Sequence, residues 1–212
     1  TEVTARYLTI PFPLDAGVRI DGSSSAKWLD HLVITGSDGV GIASAGAVSR
    51  LTNSRIIGSR HDGIVLVNAV ALAMEGNEVA TNGGTGIYLY QTGSEVAVIG
   101  NDDLSLALGN HVHDNGANGI EATGAVLVVG NTVWNHNRRD QTGIAVSYAT
   151  VRKNVSYSNW AGIRSYAQSV LELNRAYDNT TAGIVLAYND TVRGNVTYSN
   201  EVGIQVYGNT GA

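Results

Sequence analysis

The chain has 212 residues, 43% of them hydrophobic, with 26 glycines, two prolines and no cysteine. That composition excludes a disordered or collagenous chain, a disulfide framework and thiolate metal sites. A formal net charge of −5 argues against a nucleic-acid binder, and no stretch is apolar for long enough to predict membrane insertion.

Along the chain, short apolar segments recur behind one dipeptide. Gly-Ile begins at Gly41, Gly63, Gly86, Gly119, Gly143, Gly162, Gly183 and Gly203, at intervals of 22, 23, 33, 24, 19, 21 and 20 residues. The segments "GIVLV", "GIYLY", "GIAVS", "GIVLA" and "GIQVY" are rich in β-branched and aromatic residues, which predicts strands. No segment sustains the i, i+3, i+4, i+7 spacing of a helix. A second landmark is an Asn at 53, 77, 110, 131, 154, 174 and 195, and five residues beyond each lies Gly58, Asn82, Asn115, His136, Asn159, Asn179 or Asn200. Landmarks phased near 21 residues mark a solenoid. The predicted fold is all-β: one right-handed parallel β-helix domain over 1–212, of about eight coils with three short strands each. Each Ile and the apolar residue two places on face inward, and alternate residues face solvent. The Gly before each Ile is expected to turn with positive φ, and the landmark Asn to tolerate the same conformation while bonding adjacent coils.

Departures from the repeat follow in order. The 33-residue interval contains "SEVAVIGNDDLSLALGN" and predicts a loop insertion around 91–109. Its "NDD" at 101–103 is an oxygen cluster and the one candidate calcium site; no other cofactor is expected. His111 and His113 share a strand face but lack an evident third ligand, so no metal site is assigned. His113, Trp134, Tyr157, Tyr177 and Tyr198 recur as a stripe of rings. Val follows the landmark Asn by one residue in "NVSYSN" and by two in "NTVWNH", which points to a slipped phase and an internal or half-buried stack. The sequence ends at "YGNTGA", one strand into a coil, hence the expectation of an excerpt from a longer chain, with flanking domains or end-to-end self-association.

Candidate chemistry gathers on the face reached through the Gly-Ile turns. Arg60, His61 and Asp62 precede one Gly, and Arg138 and Arg139 precede another. Tyr88, Tyr90, Glu121, Arg164 and Tyr166 take outward positions in the strands that follow. Rings stack on sugar faces, guanidinium groups pair with uronate carboxylates, and His or Tyr moves protons. His61, Asp62 and Tyr88 are therefore the catalytic candidates. Arg60, Tyr90, Glu121, Arg138, Arg139, Arg164 and Tyr166 are the substrate-binding candidates, with the insertion expected to wall a groove beside them.

The unit "NxVxxN…GI", over roughly residues 17 to 208, resembles the parallel β-helix repeat of pectate lyases, mannuronan epimerases, phage tailspikes and periplasmic carbohydrate-binding proteins. The stretch "KWLDHLVITGSDGVGI" looks like the Trp-Ile-Asp-His segment of pectate lyases, in which acidic residues bind calcium. "NVSYSNWAGI", "NVTYSNEVGI" and "SRIIGSRHDGI" are similar to coils of mannuronan epimerases, and Asp62 matches an Asp those enzymes carry before a Gly. Their Asp-Pro-His-Glu motif is replaced here by "GIASAG", which has neither His nor acid. The resemblance implies a secreted or cell-surface protein whose partner is a polysaccharide. It implies a carbohydrate-active β-helix that acts on or binds an acidic polysaccharide, lyase- or epimerase-like. The alternative, a non-catalytic β-helix module for surface display, adhesion or assembly, accounts for the absent motif.

Overall fold

A computed structural model of the protein describes residues 3–22, 27–46, 48–69, 73–103 and 108–207. These residues form strands and turns without a helix, so no helix is long and apolar enough to cross a membrane. Three sheets, here called A, B and C, hold nine parallel strands each, and each coil contributes one strand to each sheet. Sheet A runs from Val3–Arg6 to Thr191–Arg193, sheet B from Thr9–Pro11 to Val196–Tyr198, and sheet C from Val18–Ile20 to Val202–Val206. The fold is the expected parallel solenoid. The eight Gly-Ile pairs stand at the start of eight sheet C strands, and the remaining strand begins at Val18, directly after Gly17. The terminal "GNTGA" lies outside the described residues.

The interior is built from columns of like residues. Ile42, Ile64, Ile87, Ile120, Ile144, Ile163 and Ile184 pair in succession and are fully buried. Leu51, Met74, Ile99, Val128, Val151 and Leu171 do the same in sheet A. Each such side chain removed from water contributes about 1.5–3 kcal/mol.

The repeat glycines correct one expectation. None of the Gly-Ile glycines has positive φ. They are required by close approach: a Cβ on Gly63 would lie 2.6 Å from the Gly86 carbonyl oxygen, 2.6 Å from Val79 Cγ1 and 2.7 Å from Asn82 Nδ2.

The Asn landmarks form two buried ladders. Asn131 shows the pattern: its backbone N–H and Nδ2 both donate to Asn154 Oδ1, at 2.9 and 3.0 Å, and Nδ2 also donates to the Ile99 carbonyl at 2.9 Å. The same bonds link Asn77, Asn110, Asn131, Asn154, Asn174 and Asn195 at the A–B corner. At the B–C corner they link Asn82, Asn115, His136, Asn159, Asn179 and Asn200. The left-handed backbone belongs to the residue before the rung, as at Gly76, Lys153 and Leu173. In the first coils the register therefore falls one residue later than expected. Ser54 and Ser59 occupy the rungs, while Asn53 and Gly58 supply the positive φ.

The long interval is not one loop over 91–109. Ala97–Gly100 is a regular sheet A strand paired with Ala73–Glu75 and Val126–Val129. The added length is 101–110, which separates that strand from His111–His113, where the next coil uses only 130–131. The excursion thus leaves the A–B corner, away from sheet C; its residues 104–107 lie outside those described.

Candidate functional site

The outer face of sheet C gathers part of the predicted site. Strand register places Tyr88 between Val65 and Glu121, Ala145 between Glu121 and Arg164, and Val185 beyond. Ala145 is fully buried although it points outward. Glu121 and Arg164 therefore stand two rungs apart, roughly 10 Å. Asn118 Nδ2 donates to Glu121 Oε2 at 2.9 Å and fixes that carboxylate. Arg164 Nε is buried without a hydrogen-bond partner. Tyr90 and Tyr166 flank the column, 41% and 49% exposed. The column thus presents a held carboxylate, an incompletely satisfied guanidinium and accessible rings.

Arg60, His61 and Asp62 have other duties. Asp62 Oδ1 accepts the backbone N–H of Thr85 at 2.6 Å, which holds the next turn. Arg60 pairs with Asp38 at 3.1 Å, both well exposed. His61 is exposed and is engaged through its backbone N–H, which donates to the Gly39 carbonyl. An acid–base pair needs the base held by an orienting partner, and among the described residues no side chain takes that place beside the His61 imidazole.

Arg138 and Arg139 lie in the turn before Thr142–Ser147. Arg139 pairs with Asp140 at 3.7 Å in solvent. Arg138 instead borders a depression of about 460 Å³ at the B–C corner, with Thr81, Asp114, Asn135, Asn137 and Gln141. The repeat pattern does not predict that these residues meet. The available signal is the polar residue standing before each second-ladder rung, as at Thr81, Asp114 and Asn135.

The aromatic stripe lies on the outer face of sheet B. Val112, Val133, Ser156 and Ala176 point inward, so alternation holds throughout and the expected phase slip does not occur. His113 stacks on Trp134 at 4.2 Å, Trp134 on Tyr157 at 5.9 Å, Tyr157 on Tyr177 at 5.1 Å and Tyr177 on Tyr198 at 4.9 Å, with planes within 12°. Rings that face one another along the axis cannot offer those faces to a sugar. The stack is half-buried, and its role is to cement coils. Beside it, Glu78, His111, His113 and Trp134 line a second depression of about 420 Å³. The Arg55 guanidinium, 2.6 Å from Glu78, holds that carboxyl below its usual range.

Among the described residues no three His, Asp or Glu side chains are arranged to hold an ion. In the 101–103 cluster, Asn101 Nδ2 donates to Glu75 at 2.6 Å, and Asp102 pairs with Arg152 at 2.7 Å and Lys153 at 3.0 Å. Asp30, in the lyase-like stretch, is 2% exposed and is bonded by Arg6, His31, Thr52 and Asn53. Burial pushes its pKa up, but those four partners outweigh burial and hold the carboxyl well below the usual range. Its oxygens are saturated by protein donors.

The profile of the family described as "right handed beta helix region" matches residues 1–152 and 93–212. None of the curated proteins matches the chain by sequence. Among solved structures, the Dettilon tailspike protein is similar with a TM-score of 0.60 and 16% identity, covering 95% of this chain and 60% of the tailspike chain. Pectate lyase Pel9A is similar with a TM-score of 0.65 and 10% identity, covering 99% of this chain and 70% of the lyase. A mutant of the periplasmic alginate epimerase AlgG follows with a TM-score of 0.55 and 15% identity, covering 86% of this chain and 49% of the epimerase. At such identities the likeness is one of fold. The family profile, by contrast, extends over the whole chain, and the three parallel sheets are those of a β-solenoid: the chain belongs to the right-handed β-helix family.

Proposed function

We propose that the protein is a carbohydrate-active β-helix, secreted or displayed at a cell surface, that holds an acidic polysaccharide along the outer face of sheet C. The observation that carries this reading is the register that aligns Tyr88, Glu121 and Arg164 in one column with Tyr90 and Tyr166 beside it. Arg164 takes a uronate carboxylate, Glu121 accepts from hydroxyls, and the tyrosines cover sugar faces. The names of the structural neighbours, a pectate lyase, an alginate epimerase and a tailspike, lend support. Proton abstraction, as in a lyase or epimerase, falls to His61 or Tyr88.

A second reading, a non-catalytic module for display, adhesion or assembly, is favoured by one observation: Asp62 is spent on the Thr85 turn. Titration with alginate, pectate and hyaluronan separates the two. Binding that drops roughly tenfold in Arg164→Ala supports the sheet C track. Ultraviolet-absorbing unsaturated product, or exchange at C5 lost in His61→Ala or Tyr88→Phe, supports catalysis. Binding with neither favours the module, and no binding to any of the three overturns the proposal.

A further inference from the structure

We infer that the depression at the B–C corner is a second ligand site, for one carboxylate-bearing sugar unit. The inference rests on the reading of the ligand as an acidic polysaccharide, but uses a different face and different residues. Three successive coils supply the walls: Thr81 to Gly83, Asp114 to Gly116, and Asn135 to Gln141. At about 460 Å³ the space falls within the range of small-ligand sites. Its lining is a hydroxyl, primary amides, one carboxylate and one guanidinium, without an apolar side chain. Amides and a carboxylate match the mixed donors and acceptors of sugar hydroxyls, and a guanidinium matches a carboxylate through two parallel bonds.

Two features show that the site is built. Gln141 braces the turn, its Oε1 accepting the Arg138 backbone N–H at 3.1 Å and its Nε2 donating to the Gly116 carbonyl. Asp114 is fixed from both sides, by His113 Nδ1 at 2.7 Å and Asn135 Nδ2 at 3.1 Å. Through all this Arg138 keeps its charge uncommitted: among the described residues Arg139 and Arg60 have carboxylate partners, and the Arg138 guanidinium has none. Arg138 is the ligand-binding cation. Asp114, Asn135 and Asn137 bind hydroxyls, and His113 is a positioning residue behind Asp114.

The test titrates the full chain with trigalacturonate and trimannuronate, and with their carboxyl-reduced neutral counterparts, by calorimetry and by amide chemical shifts. The expected result is movement of the Gly83, Gly116 and Asn137 amides, with a roughly tenfold or greater loss of affinity in Arg138→Ala and partial recovery in Arg138→Lys. Equal binding of the neutral trisaccharides overturns the assignment to a carboxylate. Unmoved corner amides, or Arg138→Ala binding like wild type while Arg164→Ala does not, overturn this site and leave the sheet C reading standing. No binding by wild type overturns both.

Discussion

The histidine at rung 136 shows how one residue can carry a measurable property of the whole chain. His136 is fully buried, its Nδ1 3.0 Å from Asn159 Oδ1 and its Nε2 3.2 Å from Asn115 Nδ2. That arrangement requires Nδ1 to donate and Nε2 to accept, so the ring is neutral. Burial pushes its pKa down to about 4, against 6.5 for an ordinary His, although the bond to Asn159 pulls the other way. Between those values the unfolded chain binds a proton that the native chain refuses. Stability is therefore full above pH 6.5, falls as the pH drops through the window, and has lost about 3 kcal/mol by pH 4. The depressed carboxyls of Glu78 and Asp30 act lower, beneath their ordinary values of 4.5 and 3.8. In His136→Asn, which restores the amide found at Asn115 and Asn159, denaturant midpoints should stay level from pH 6.5 to 4.5. A slope equal to that of wild type would place the proton elsewhere.

Among the elements, the corner where sheet B passes into sheet C decides how tightly coils can approach. Gly63 lies so close to the next coil that a methyl group meets a carbonyl oxygen, a valine and a ladder amide, none of which is free to retreat. Gly58 is different: it has a φ of 71°, and a methyl group there would meet its nearest neighbour at an ordinary van der Waals distance of 3.8 Å. Gly63→Ala should cost about 3 kcal/mol by overpacking, and Gly58→Ala only about 1 kcal/mol through its backbone. Equal losses in thermal or urea unfolding would show that conformation, rather than approach, governs both. The distinction also marks where reading the residues stops. Period and alternation are legible in "GIVLV" or "NVTYSN" because strand pairing repeats each choice coil after coil. Whether a Gly serves φ or contact depends on the coil above it, which its own segment does not encode. The excursion after Gly100 escapes a reading of the residues for the same reason: its length is in the sequence, but the corner from which it leaves is set by the pairing of Ala97–Gly100. Likewise Arg138 is recognisable as a candidate cation, yet its company of Asp114 and Asn135 arises only when three coils stack.

For the molecule as a whole, stacking makes stability a chain of nearest-neighbour terms. Each strand pairs only with the coils before and after it, so no sheet closes on itself and, among the described residues, no helix bridges distant coils. Ile120 and Ile144 are direct partners, whereas Ile64 and Ile144 are separated by the rungs of Ile87 and Ile120, roughly 14 Å apart in all. Truncation of any of these buried isoleucines to Ala should cost about 2–5 kcal/mol. The two kinds of pair should then behave differently in a double-mutant cycle. Ile64→Ala with Ile144→Ala should add to within about 0.5 kcal/mol, because the cavities share no neighbour, while Ile120→Ala with Ile144→Ala should depart from additivity by about 1 kcal/mol or more as two cavities merge. Coupling of similar size in both pairs would mean that the solenoid relaxes as one body, and the polar faces on sheet C and at the B–C corner would then be linked through the core. Additivity for the distant pair means that each coil can gain or lose a surface residue with little effect beyond its neighbours. That is how a stack with a continuous apolar interior can carry two separate polar faces.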